Sequence, residues 1–388
     1  MMSGSKKILF VSHEFGVGGS TKSLIMLIRG IRELYPDIRC TVIIPMSFGG
    51  EKIAKKLLIE NNIDNVEFLF RRNYKKIGER YSLKYLIYDT LNFFSVIAIK
   101  KYISNNEFDL ICTNSSAVDV GARAAFGVKK THIQYIREMM EEDYGIEYRN
   151  KIIMRDVLEK SNGVIFISQY VRAKYMQSYD IRYNTFFYNG FDVQKYYVPN
   201  RIIFDKGYIR IAQIGALRDG KGAKESLEIM HLLKKRGFMS FKMIFVGSGA
   251  KDYIHEMEHI IEKYDLSGNV KIEGFTNEIV RILKNNDILL MNSVAEGFGR
   301  VTVEAMLTGC LVLGRKTGGT TEILSDHRTG ILFGNPEEAV DRIIESLKNI
   351  EDSRLIAQAG QQFAYDNFDY KKTAANFVQY CKGINPKE

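Results

Sequence analysis

Glu296 and Glu304 stand eight residues apart in the stretch that runs from Met291 to Gly309. The apolar run before them, Asp287 to Met291, has the pattern of a buried strand. A loop with Gly297 and Gly299 follows, and then a helix that starts near Arg300. One carboxylate therefore lies on the loop and the other about a turn into the helix. Between them is a glycine-bracketed helix N-terminus, whose unsatisfied N–H groups and positive dipole end suit a phosphate. Glycines let the backbone approach a ligand closely, and carboxylates accept hydrogen bonds from pairs of sugar hydroxyls. The spacing fits a nucleotide-sugar site.

A second loop carries cations. Gly215-Ala-Leu-Arg218-Asp-Gly220-Lys221-Gly222 approaches the phosphate-binding G-x-x-x-x-G-K-[ST] pattern but has Gly222 and Ala223 where a magnesium-binding hydroxyl is needed. That argues against a nucleoside triphosphatase. Arg218 as a planar fork and Lys221 as a point charge still suit a diphosphate, the plainer reading being two surface cations at a helix start. Near the N-terminus, Gly16, Gly18 and Gly19 fall between a first strand and a first helix. A dinucleotide-binding loop would want Gly in place of Thr21 and an acid in place of Pro45-Met46, so a loop lining a cleft is expected instead. His255-Glu-Met-Glu-His259 satisfies the zinc-protease spacing. Its surroundings, with Ile254, Met257, Ile260 and Ile261 on one side, predict an ordinary amphipathic helix and no metal. No Ser/His/Asp or Cys/His arrangement is legible. His13, at the end of the first strand, could reach a cleft or be a satisfied, partly buried histidine.

The elements that must position these loops alternate. β-rich runs at 8–12, 41–45, 66–70, 110–114, 132–136, 164–168 and 185–188 are separated by helical patterns, and the alternation restarts at 208–214 and continues to the end. Strands separated by helices predict parallel sheets covered on both faces, with ligands at the carboxyl ends of the strands. The turn signal Asn189-Gly-Phe-Asp192 marks the midpoint. The expectation is an N-terminal doubly wound domain over 1–190, a second over 191–368, the two facing across a cleft, and a C-terminal helix over 369–388 that crosses back to the first.

Composition excludes other classes. The chain has 388 residues, 45% of them hydrophobic, with only five prolines, which predicts packed domains without long disordered linkers. The start, Met-Met-Ser-Gly-Ser-Lys-Lys, lacks the pattern of an export signal, and no apolar run reaches 18 residues, so a cytoplasmic chain is expected. The four cysteines, Cys40, Cys112, Cys310 and Cys381, show no metal or disulfide spacing. The net charge of +9 is uneven: between Arg71 and Tyr102 eight Lys/Arg face two acids, interleaved with Tyr and Phe. That cluster matches no nucleic-acid motif. It fits either a solvated helix pair or an anionic membrane surface met through 71–102.

Glu296-Gly-Phe-Gly-Arg-Val-Thr-Val-Glu304-Ala-Met, Gly318-Gly319-Thr-Thr-Glu322-Ile and Thr329-Gly-Ile-Leu together resemble the signature of glycosyltransferase family 4, the retaining nucleotide-sugar transferases of GT-B fold. Asn189-Gly-Phe-Asp192, the Gly215–Gly222 loop, Phe245-Val-Gly-Ser-Gly249 and the Gly16–Gly19 loop extend the resemblance along nearly the whole chain. The resemblance implies two Rossmann-like domains and transfer of a hexose with retention from a UDP- or GDP-sugar to a glycan or lipid-linked saccharide, in bacterial surface polysaccharide synthesis. Glu304 would bind the donor ribose and Glu296 the sugar hydroxyls. Gly297, Phe298, Gly299 and Arg300 would hold the diphosphate through their amides, together with Arg218, Lys221 and the Gly16, Gly18, Gly19 loop. Such enzymes need no bound metal or cofactor. Two positions depart from the common pattern. Ala216 stands where many members have Arg, with Arg218 two residues on. Arg137-Glu138 stands where many have a His beside the reacting sugar, which counts Arg137 and Glu138 with Glu296 as catalytic and points to a charged or deoxy donor sugar. Rival readings are an epimerase or phosphorylase of the same fold and a nucleotide-sugar-binding protein without turnover.

Overall fold

The run Ile8–Val11 is apolar without alternation, and such a strand must be covered on both faces. In the structure, a computed structural model that describes residues 6–14, 18–46 and 53–384, it lies within β1 (Lys6–Val11), whose Leu9, Phe10 and Val11 are fully buried. The described chain divides into two compact units: one runs up to Phe191 and resumes at Asp369, and the other is Asp192–Phe368. The division falls one residue beyond the expected 190/191.

The first unit follows β1 with α1 (Gly19–Leu34), β2 (Ile38–Pro45), α2 (Ile53–Glu60), β3 (Asp64–Phe68), β4 (Tyr74–Lys76), α3 (Leu83–Asn106), β5 (Leu110–Thr113), α4 (Val120–Gly127) and β6 (Thr131–Ile136). It continues through α5 (Met140–Tyr144), β7 (Ile146–Tyr148), α6 (Lys151–Lys160), β8 (Gly163–Phe166), α7 (Gln169–Met176) and β9 (Asn184–Phe186). Seven strands form a parallel sheet in the order β3-β2-β1-β5-β6-β8-β9. The short strands β4 and β7, which no periodicity announces, pair antiparallel outside it, Tyr74 opposite Tyr148.

The second unit runs α8 (Val193–Tyr196), β10 (Ile209–Ile214), α9 (Ala223–Lys235), β11 (Phe241–Val246), α10 (Lys251–Lys263), β12 (Val270–Glu273), α11 (Ile279–Lys284) and β13 (Ile288–Met291). Then come α12 (Arg300–Leu307), β14 (Leu311–Arg315), α13 (Thr320–Ile323), β15 (Ile331–Phe333), α14 (Pro336–Lys348) and α15 (Ile350–Asn367). Its six strands are parallel in the order β12-β11-β10-β13-β14-β15. In both sheets the strand order reverses direction beside the first strand, between β1 and β5 and between β10 and β13. Open α/β sheets bind ligands at the carboxyl ends of strands beside such a switch point.

The last helix, α16 (Tyr370–Gly383), belongs to the first unit. Phe377 is fully buried with its ring 5.8 Å from that of Phe10. Gly30 of α1 lets the helices close, since a Cβ there would lie 2.7 Å from the Cβ of Ala374. The Tyr370 hydroxyl donates to Glu33 at 2.7 Å, and the Tyr370 amide donates to the Phe191 carbonyl.

Candidate active site

Two loops leave the second sheet at its switch point, one after β10 and one after β13. The β10 loop turns through Asp219–Lys221, a single 3₁₀ turn, into α9. Gly222 takes φ +67°, and a Cβ there would lie 2.0 Å from the Asn292 carbonyl oxygen. Only glycine allows this left-handed turn at so close an approach. Asn292 ties the loops from the other side, its amide donating to the Gly222 carbonyl and to the Ser226 hydroxyl, while the Val294 amide donates to the Gly220 carbonyl. The Gln213 side-chain amide donates to the Lys221 carbonyl at 2.7 Å.

This stitching aims Lys221 at Glu296. Their Nζ and Oε2 atoms are 2.7 Å apart, with side chains 21% and 16% exposed, so the pair is sheltered but within reach of a ligand. Glu296 is fixed from behind by the Gly318-Gly319 turn after β14: the Gly319 amide donates to the Glu296 carbonyl at 2.7 Å. A Cβ on Gly318, which has φ +55°, would lie 2.5 Å from that same oxygen. The glycine pair of the sequence motif is thus a close-packed brace behind the loop.

Gly299, at φ +86°, caps α12, whose first turn carries no acidic side chain to neutralise its positive end. Glu304 comes one turn later and is buried, 4% exposed. It is not isolated: Arg300 Nη2 and the Tyr196 hydroxyl both lie 3.4 Å from its Oε1. Burial and the neighbouring Glu304 raise the pKa of the Tyr196 phenol well above its ordinary value. Tyr196 was not found from the sequence; a four-residue helix gives no periodicity, and its only sign was the Asn189–Asp192 turn just ahead of it. Arg218, half-buried in extended backbone, immediately precedes the 3₁₀ turn.

Some expected site residues have other surroundings. The Phe298 side chain is buried, its ring set edge-on to Phe368 at 5.8 Å, so only its backbone could serve a ligand. In the first unit, Arg137 lies over the Tyr135 ring at 3.9 Å and donates to Asn114 at 2.7 Å and Asn189 at 2.8 Å. Glu138, the next residue, has other partners. Its buried carboxylate accepts from the Ser115 hydroxyl, the Ser116 amide at 2.7 Å and the Ser116 hydroxyl at 2.8 Å. Burial raises its pKa in spite of these bonds. This geometry gives Glu138 the part of a brace for the loop after β5.

Gly16 lies outside the described residues. Gly18 is the N-cap of α1 and Gly19 its first residue, and the first turn is already occupied: the Glu14 carboxylate accepts from the Thr21 amide at 2.9 Å and from the Thr21 hydroxyl. His13 sits beside it, its pKa lowered to about 3 by burial and by the charges of Arg72 and Arg137, so it is neutral at pH 7. His255 and His259 are exposed on α10, which buries Met257 and Ile261 as expected. Among the described residues no group of three or more His, Cys, Asp or Glu is placed to hold a metal ion.

Residues 199–363 match the family model described as Glycosyl transferases group 1. The chain is 28% identical over 182 residues to the trehalose synthase of Pyrococcus horikoshii, covering 45% of this chain and 44% of that protein, so less than half of that relative's length is spanned. It is 25% identical over 281 residues to an uncharacterized glycosyltransferase of Methanocaldococcus jannaschii, covering 70% of this chain and 75% of that one. The crystal structure of Anabaena HepE in complex with UDP matches with a TM-score of 0.79 at 23% identity, over 97% of this chain and 100% of that chain. The same protein in complex with UDP-glucose matches with a TM-score of 0.78 at 23% identity, over the same shares. At that identity the likeness bears on the fold, which is GT-B. The match at 199–363 spans the loops of Lys221, Glu296 and Glu304, so it is the second unit that is similar to the glycosyl transferases group 1.

Proposed function

We propose that the chain is a retaining glycosyltransferase that moves a hexose from a UDP- or GDP-sugar to a glycan or lipid-linked saccharide, in the synthesis of bacterial surface polysaccharide. The observation that carries this reading is the Lys221–Glu296 pair, 2.7 Å apart, on the loops at the switch point that also leads to Glu304. Lys221 has two N–H groups beyond the one directed at Glu296, and these serve the phosphate oxygens nearest the reacting carbon. The α12 N-terminus and Arg218 share the remaining diphosphate charge, the work that a cation does in other phosphate sites. Glu296 grips hydroxyls of the transferred sugar, and Glu304 those of the ribose.

In the reaction, the bond from the sugar's C1 to the diphosphate oxygen breaks and a bond from the acceptor oxygen to C1 forms on the same face. The acceptor proton passes to the departing diphosphate. The first unit supplies the acceptor site, to which Arg137 contributes a cation. The work is placed at the cytoplasmic face of the membrane, where the stretch 71–102 meets anionic lipid. Anabaena HepE, of the same fold, is known in complex with UDP-glucose, so UDP-sugars are the first donors to test.

A thermal-shift panel of UDP, GDP and their sugars tests the donor, because a ligand that binds only the native state raises the melting temperature. Product analysis with the stabilising sugar nucleotide then separates the classes. Transfer to an added acceptor, undiminished by EDTA, supports the reading. An epimerised sugar nucleotide formed without acceptor, or no stabilisation by any member of the panel, sinks it.

A further inference from the structure

The stretch 71–102 divides, on folding, into two parts that the sequence does not separate. Arg71 and Arg72 are spent inside the unit, on the carbonyls of Phe70 and His13, and Lys75 pairs with Glu147 at 2.6 Å. Helix α3 packs inward with Tyr85, Asn92, Val96, Ile99 and Ile103. Its opposite side is also apolar, but bare. Leu83, Leu86, Ile87, Phe93, Phe94 and Ile97 are 73, 55, 51, 53, 61 and 51% exposed.

At about 100° per residue these six fall within roughly a third of the helix circumference, and at 1.5 Å per residue they extend for about 20 Å. They are not scattered surface residues. They form one continuous stripe on a helix that already has a complete inner face, and exposed apolar patches of that kind mark interaction surfaces.

The charges around the stripe select the occupant. Exposed Lys76, Arg80 and Lys84 cluster at its N-terminal end with exposed Ile77 and Tyr81, and exposed Lys101 lies at its C-terminal end. The two acids nearby are engaged: Glu79 accepts from the Tyr85 hydroxyl and the Lys76 amide, and Asp89 pairs at 2.7 Å with the buried Arg149. An apolar stripe with an excess of lysine and arginine at its ends, Lys76, Arg80 and Lys84 against Glu79 at one and Lys101 at the other, matches a lipid surface with anionic headgroups, into which Phe and Leu insert while the cations stay at headgroup level. No helix among the described residues is long and apolar enough to cross a membrane.

We infer that α3 docks the protein in the plane of an anionic bilayer through the Leu83–Ile97 stripe, with Lys84 and Lys101 on headgroups. This deepens the membrane arm of the proposed function by naming the surface that makes the contact. It needs no donor, so its outcome is independent of whether the second unit transfers sugar.

Vesicle flotation of the whole protein tests it, without nucleotide sugar, using phosphatidylcholine vesicles with and without phosphatidylglycerol. The wild type is expected to float with the phosphatidylglycerol vesicles, at least tenfold more than with phosphatidylcholine alone, and less at high salt. The double variant Phe93→Ser, Phe94→Ser and the double variant Lys84→Glu, Lys101→Glu should each lose at least tenfold in bound protein while keeping the wild-type melting temperature. Three results overturn the inference: wild type that stays with the unbound protein at every lipid composition, a serine variant that floats like wild type, or wild type that elutes as a dimer which the serine variant reduces to a monomer.

Discussion

Lys221 Nζ lies 2.7 Å from Glu296 Oε2, although the residues are 75 apart in sequence and stand on loops from different strands. The ion pair joins the group that would meet phosphate to the group that would meet sugar. Half-sheltered as it is, it is worth little to stability: partly exposed pairs contribute about 0–1 kcal/mol. Its value lies in position. Glu296→Ala is therefore expected to lower kcat by roughly 10²–10³-fold, the scale of a preorganised polar contact at a reacting centre. The melting temperature should stay within about 2 °C of wild type, a shift of no more than about 1 kcal/mol. Lys221→Ala should act mainly on the donor KM. Steady-state kinetics with the donor found by thermal shift decides it, and full turnover in both variants would falsify the assignment.

Glu304 is almost fully buried, with Arg300 and Tyr196 on the same oxygen. Removing the carboxylate takes an ion-pair partner from Arg300 as well as the acceptor from the Tyr196 hydroxyl. Glu304→Ala should weaken UDP binding by about 10–100-fold, or roughly 1.4–2.8 kcal/mol. Tyr196→Phe removes one hydrogen bond to a charged group and should cost a few-fold. Calorimetric titration with UDP measures both, and an unchanged affinity for Glu304→Ala would exclude it from the nucleotide site.

The Gly222 turn offers a purely conformational test. Gly222→Ala must hold a left-handed φ of +67° and push the Asn292 carbonyl away from a Cβ at 2.0 Å. The expected loss is roughly 2–4 kcal/mol in the second unit. Gly268→Ala, which meets nothing within 4 Å, is the control and should be nearly neutral. Urea unfolding of the two variants gives the comparison directly.

His132 is fully buried between Thr113 and Ser161, and burial lowers its pKa to about 3. Unfolding frees it to take a proton below its ordinary pKa of about 6.5. Between that value and about pH 3 the unfolded chain binds more protons than the folded one, so stability falls as pH falls, by up to about 1.4 kcal/mol per pH unit for this residue. His132→Gln should be less stable than wild type at pH 7 but show a shallower decline from pH 6.5 to 4.5. Equal slopes would mean that His132 takes up its proton in the fold as readily as in the unfolded chain.

Much of this architecture is written locally. Strand β13 starts one residue inside the predicted run and helix α12 starts at Arg300 as predicted, because a continuous apolar run and a glycine-marked helix start are signals within one short window. The roles of Gly222 and Gly318 are legible only as glycines in loops; what makes them necessary is a carbonyl oxygen 70 or more residues away in one case and 22 in the other. Strands β4 and β7 escape for a related reason, since three residues cannot show a period and their partner is 72 positions off. Arg137-Glu138 enters the site only through the resemblance, as the pair standing where many members have a His. Only the fold shows that Glu138 is held by Ser115 and Ser116 while Arg137 is held by Asn114 and Asn189. In the basic stretch 71–102 a count of cations does not distinguish those turned inward, such as Arg71, Arg72 and Lys75, from those left in solvent.

The seat of α16 against Gly30 and Phe10 imposes an order on synthesis. The second unit is one unbroken run of chain and can complete itself as soon as it clears the ribosome. The first unit, though it emerges earlier, must wait with the groove of its first helix open until the final helix arrives, some 340 residues after Gly30. Over that interval its apolar lining, Phe10 included, is exposed to whatever chaperone or stray chain meets it first.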